Sequence, residues 1–161
     1  VSVEPPMFVD VVNVTSAADM ADVVKSKAAE QDIIIMTAAV ADFCPSHPAD
    51  EKIKKNDSSY ESVIELERTE DILSYLGAHK AKGQLICGFS METQNMLENS
   101  KAKLAKKNAD MIVANNLKVA GAGFGTDTNV VTLITADDCT ELEIMDKSCV
   151  AARIMDRLLK M

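Results

Sequence analysis

Four consecutive large apolar residues, Ile33-Ile34-Ile35-Met36, run directly into the small residues of Thr37-Ala38-Ala39-Val40-Ala41-Asp42. A strand with no polar alternation must be covered on both faces, and such strands belong to parallel sheets flanked by helices. Small residues at its exit let a ligand approach the backbone closely, at the edge where open α/β sheets bind ligands. The rest of the chain supplies the alternation such a sheet requires. Phe8–Val14 is β-branched and predicts a strand, and Thr15 or Ser16 is placed to cap a helix running to about Glu30. Asp32–Met36 predicts a central parallel strand, and Val63–Glu67 alternates like a half-exposed one. Thr69 is placed to cap a helix through Leu76, stopped by Lys82-Gly83. Gln84–Phe89 and Met111–Ala114 predict buried strands on either side of a helix from Asn95 to Asn108. Val130–Ile134 and Leu142–Ile144 predict a closing hairpin, and Lys147–Met161 a last helix. Strands interleaved with helices make this an α/β domain with a mostly parallel sheet, one unit over residues 1–161.

Composition narrows the function. With 47% apolar residues the chain can bury a core, and its net charge of −8 disfavours non-specific nucleic-acid binding over the surface. No apolar run approaches the ~20 residues needed to span a bilayer, and no signal peptide is visible. The 4 cysteines are scattered and the 2 histidines isolated. Neither a zinc site nor a disulfide framework is indicated, and a reducing cytoplasm is expected.

Against this acidic background, clustered lysines are informative. Lys101, Lys103, Lys106 and Lys107 stand near the end of the third predicted helix with no acid among them. Lys103 and Lys107 are four apart and share a face, where like charges repel. They fit a phosphate site, or else simply complement the helix C-terminal dipole. Lys52, Lys54 and Lys55 follow Asp42 on one polar connection, readable as an anion site or as a solvated charge run. Ala49–Ser59 has the composition of a lid over a ligand. Phe89 ends a second strand, placed either to stack on a base or to fill the core. The Gly121–Gly125 loop matches neither phosphate-binding glycine pattern.

Taken in order, A-A-V-A-D-F, E-K-I-K-K, G-F-S-M-E-T and N-A-D-M-I-V-A-N-N resemble phosphopantothenoylcysteine synthetase, the ligase half of the bifunctional coenzyme A biosynthesis flavoprotein. The similarity runs from about the first residues to Thr135. It implies a Rossmann-like three-layer domain with a C-terminal β-hairpin extension. It also implies joining of 4′-phosphopantothenate to cysteine, with CTP activating the carboxylate as an acyl-cytidylate and Mg²⁺ assisting. The resemblance places Met36, Thr37 and Ala38 at the base and ribose, and Asp42 as a hydrogen-bonding partner of the nucleotide. Lys52 matches the catalytic lysine. Glu70, Asp71, Ile72 and Leu73 match a further nucleotide segment, with Glu70 in place of a usual proline. Phe89 matches the base pocket, and Lys103 and Lys107 the triphosphate lysines. A homodimer is implied, and FMN only if a decarboxylase domain is fused upstream; no metal ligands are assigned.

The family's S-S-G-K-M-G segment and an asparagine used in the cysteine step would precede Val1, and Val1–Pro6 reads as a loop following something absent. An N-terminally truncated domain is therefore expected. Two rivals remain at this point: a nicotinamide-dependent oxidoreductase and a non-catalytic nucleotide-binding module.

Overall fold

The computed structural model describes residues 4–49, 51–52, 63–92, 95–116 and 125–161. In chain order these form α1 (Ala17–Ala28), β1 (Ile33–Met36), β2 (Phe43–Pro45), β3 (Leu66–Arg68), α2 (Ile72–Ala78), β4 (Leu85–Glu92) and α3 (Met96–Lys106). There follow β5 (Met111–Asn116), β6 (Thr128–Asn129), β7 (Val131–Ile134), β8 (Cys139–Glu141), β9 (Met145–Asp146) and α4 (Lys147–Leu158). The main sheet has the order β1-β4-β5-β7-β8. The first three strands run parallel, Ile35 opposite Cys87 and Cys87 opposite Met111. β7 and β8 join antiparallel as the closing hairpin.

Helices cover both faces, giving the expected three layers. On one face Ile86 of β4 packs with Ala21 of α1 and Ile72 and Leu76 of α2. On the other, Cys87, Met111, Val113, Val131 and Leu133 pack against Val150, Ile154 and Leu158 of α4. The alternation of Ile86 and Cys87 between the two clusters is the period-2 geometry of a strand buried on both sides. Asp110 fastens the start of this core: its carboxylate accepts from the Ile86 amide at 2.7 Å and from Lys80 Nζ at 2.9 Å.

Several expectations are corrected. Phe8–Val14 forms no strand. Phe8 turns with φ 66°, and Val9, Val11, Val12 and Val14 are exposed. β-branched sequence expresses strand structure only where a neighbouring strand accepts its hydrogen bonds, and none does so among the described residues. β1 is accordingly an edge strand, half-buried along its length, rather than a central one. Of the two expected caps of α1 it is Ser16 that serves, in a reciprocal box with Asp19. Asp71, not Thr69, caps α2, because its carboxylate reaches the Ser74 amide at 2.9 Å. α2 ends at Ala78, before the Lys82-Gly83 stop, and Gly83 (φ 85°) serves the turn into β4 instead. The strand read at Val63–Glu67 lies at Leu66–Arg68, paired with β2 in a separate ribbon. The hairpin's second strand is Cys139–Glu141; Leu142–Ile144 lies beyond it, leading to β9, which pairs with β6. Most of the Ala49–Ser59 lid, Lys54, Lys55 and Gly121–Phe124 fall outside the described residues.

Candidate nucleotide-binding cleft

Where β1 ends, the chain leaves the sheet through Ala38–Asp42 and turns into the β2–β3 ribbon, returning at Arg68 to the start of α2. Thr69 fastens this return to the exit. Its hydroxyl donates to the Ala41 carbonyl, and its amide donates to the Asp42 carbonyl at 3.0 Å. Two loops 28 residues apart in sequence thus form one wall. Leu73 of α2 packs over Gly88 of β4, where a Cβ would meet its Cδ2 at 2.6 Å; only glycine accommodates that approach without a shift of Leu73.

Between this wall and α3 lies a cleft of about 190 Å³. It is lined by Met36, Ala38 and Asp42 from the β1 exit, Glu70, Asp71, Ile72 and Leu73 from the start of α2, Phe89 of β4, and Lys103 and Lys107. These are residues singled out in sequence, drawn from separate segments and brought to one place. Thr37 and Lys52 are not among the lining residues. Lys52 is exposed, and the residues on its C-terminal side lie outside those described. Val40, Ala41 and Thr69 also line the cleft, and Ser74 stands behind it. Val40 and Ala41 belong to the A-A-V-A-D-F segment, whereas the hydroxyls of Thr69 and Ser74 act by distance alone, which no local pattern announces.

The helix-face argument for the lysines agrees with their burial. Lys103 and Lys107 are partly buried, whereas Lys101 and Lys106 are exposed. Lys103 Nζ donates to the Phe89 carbonyl at 2.8 Å. Lys107 Nζ is ion-paired with Asp71 and donates to Ser74 Oγ at 2.9 Å. Burial pushes the Asp71 carboxyl up, but the Lys107 contact and the Ser74 amide outweigh it and hold the group below the usual carboxylate range. Glu70 is paired with Lys25 of α1 at 2.7 Å. Two ammonium groups on an apolar floor, with an aromatic ring and small-residue backbone nearby, suit a ligand with an aromatic end and an anionic end. Among the described residues no three His, Cys, Asp or Glu side chains stand close enough to hold a metal ion.

The whole chain, residues 1–161, matches the family model of the DNA/pantothenate metabolism flavoprotein C-terminal domain. The chain belongs to that family. It is 46% identical over 156 residues to the coenzyme A biosynthesis bifunctional protein CoaBC of Bacillus subtilis (strain 168), covering 96% of this chain and 38% of that protein. It therefore spans well under half of that relative's length. The crystal structure of the C-terminal domain of a CoaBC superposes with a TM-score of 0.78 at 41% identity, over 99% of this chain and 71% of that one. A Cab2 mutant solved with phosphopantothenate-cysteine shares the fold, with a TM-score of 0.64 at 18% identity over 91% of this chain and 52% of that one. The Rossmann-like architecture agrees with these relatives. Among the described residues no helix is long and apolar enough to cross a membrane.

Proposed function

We propose that this domain carries the nucleotide-binding half of a phosphopantothenate–cysteine ligase of coenzyme A biosynthesis, using CTP with Mg²⁺ in the cytoplasm. The observation that carries the reading is the convergence of Met36, Ala38, Asp42, Asp71, Phe89, Lys103 and Lys107 on one cleft. Family membership and the names of the CoaBC relatives support it.

In this reading the carboxylate of 4′-phosphopantothenate attacks the α-phosphorus of CTP. Pyrophosphate leaves and an acyl-cytidylate forms. The amine of cysteine then attacks the acyl carbon and releases CMP as the amide forms. A carboxylate is a poor electrophile until its oxygen becomes a good leaving group, which is what cytidylation achieves. Lys103 and Lys107 hold the polyphosphate and offset the charge that builds on pyrophosphate. Asp42 accepts a hydrogen bond from the nucleotide, and Phe89, with the backbone of Met36–Ala38, receives the base and sugar. Lys52 is assigned to the reacting phosphate, which requires its segment to approach the cleft. Mg²⁺ supplies further charge neutralisation on the phosphates. A homodimer completes each site, a reading supported by the exposed apolar side chains of Phe43, Ile64 and Leu66 on and beside the ribbon.

Calorimetric titration with CTP and with ATP, each with Mg²⁺, tests the nucleotide. CTP should bind more tightly, and equal or tighter ATP binding would overturn the choice. Pyrophosphate release that requires 4′-phosphopantothenate, followed by CMP release that requires cysteine as well, tests the reaction. Light scattering at twice 17.4 kDa tests the dimer.

A further inference from the structure

The two cleft lysines are engaged in different ways. An ammonium group has three N–H donors. Lys103 uses one on a neutral carbonyl, that of Phe89, and keeps its charge and remaining donors for a ligand. Lys107 uses two, and one of them meets a carboxylate. Its side chain is 13% exposed, whereas that of Asp71 is 51% exposed and lies on the cleft surface. The titratable groups facing Asp71 around the cleft are Asp42, Glu70, Lys103 and Lys107, with Lys25 beyond Glu70. Three carboxylates against two ammonium groups leave the lining itself without surplus positive charge, and the Lys25–Glu70 pair only brings the balance to zero. Among the described lining residues an anion entering this cleft does not meet a positive funnel. It meets a lysine already neutralised.

We infer that Asp71 is a resident counter-anion for Lys107, and that this exchange makes the cleft selective for polyphosphates over monophosphates. The inference rests on the nucleotide reading above and deepens it. A single phosphate exchanges one anionic partner of Lys107 for another, against the repulsion of the displaced carboxylate, and gains little. A triphosphate reaches Lys103 as well, and its additional charge drives the exchange. Ser74 Oγ stays on Lys107 throughout and keeps the ammonium aimed into the cleft. Asp71 is thus a specificity-determining residue that works through Lys107.

The test is Asp71→Asn. Asparagine caps helices as well as aspartate does, so the α2 cap to the Ser74 amide and the fold should be preserved while the charge, and with it the share of stability the Lys107 pair contributes, is removed. Affinities are measured for CTP, CMP, inorganic tripolyphosphate and inorganic phosphate. CMP should tighten by about tenfold in the variant and CTP by clearly less, so that the CTP-to-CMP preference shrinks; about tenfold is near the low end of what a hydrogen bond to a charged group contributes. In the native chain, ¹³C detection of the Asp71 carboxyl should show its titration midpoint rising when tripolyphosphate saturates the cleft, as Lys107 departs. Equal weakening of CTP and CMP in Asp71→Asn would make Asp71 a direct ligand contact and overturn the inference. So would an unmoved Asp71 midpoint, or no binding of tripolyphosphate. If the midpoint moves but CTP binds no better than tripolyphosphate, the exchange stands and the nucleotide reading falls. If CTP binds tightly with the midpoint unmoved, the reverse holds.

Discussion

The main-chain carbonyl oxygen of Lys107 sits 1.8 Å from where a Cβ on Gly77 would be. The ends of α3 and α2 therefore touch backbone to backbone, and the contact is sealed by Asn108 Nδ2 donating to the Gly77 carbonyl at 2.7 Å. Gly77→Ala should push Lys107 away from Asp71 and Ser74. Alanine gains up to ~1 kcal/mol of helix propensity, but forced repacking of this kind costs ~1–3 kcal/mol. The net result should be a lower urea midpoint together with weaker CTP binding. A variant of unchanged stability and affinity would show that the helices separate freely.

Lys103→Ala and Lys107→Ala should each weaken CTP by the loss of a charge-assisted contact, about 1.5–3 kcal/mol. Cytidine, which has no phosphates, should hardly respond. Lys106→Ala is the control, since Lys106 is exposed on the same helix. Calorimetry on the three variants decides. Equal CTP affinity in all of them would leave the lysines with helix-end electrostatics alone.

Acid should uncouple Asp71 from the fold in a defined window. The folded-state carboxyl titrates below its ordinary 3.8, so its contribution is fully present above the unfolded value and is lost as pH falls through the folded one. Asp19 and Asp138 are also held low, each chiefly by a side-chain hydroxyl donor, from Thr15 and Thr140 respectively. Native protein and Asp71→Asn must therefore be compared pairwise. Their stability difference should be constant from pH 7 to about pH 5 and close below about pH 4. A difference independent of pH would mean that the charge on Asp71 contributes nothing to the fold.

Cys87 is fully buried beneath α4, and burial, with the nearby Asp110 charge, pushes its thiol up to about 12. A thiol reagent at pH 8 should label the exposed Cys139 and Cys149 quickly, and Cys87 only after denaturation. Mass spectrometry of peptides from native and urea-treated protein reads this directly. Native labelling of Cys87 would contradict the packing of β4 against α4.

The sequence disclosed what depends on local pattern. Buried strands at Gln84–Phe89 and Met111–Ala114 announced themselves by unbroken apolar runs, and the Lys103–Lys107 face by helical spacing. It misplaced what depends on partners. Phe8–Val14 has strand composition without a pairing edge, and Ile33–Met36 reads as central while lying at the edge. Thr69 and Asp71 are both good caps in isolation, and only the geometry of the returning ribbon assigns the first to Ala41 and the second to Ser74. Within the cleft, motif residues were legible because their chemistry is distinctive. The roles of Gly77 and Ser74 were not, since a close approach and a hydroxyl at 2.9 Å arise only from packing.

The bonds from Thr69 to Ala41 and Asp42, continued by the β2–β3 pairing, close the stretch from Pro45 to Leu66 at its base. Whatever length or sequence lies beyond that clasp, the two sides of the cleft wall meet in the same register. Closing a longer loop costs only ~0.6 kcal/mol per doubling, so this is the place where the domain can accept inserted chain at little thermodynamic cost. The clasp thus separates two design problems: the cleft wall is fixed by the hydrogen bonds at its base, while the chain beyond it can change in length as long as Lys52 still reaches the cleft.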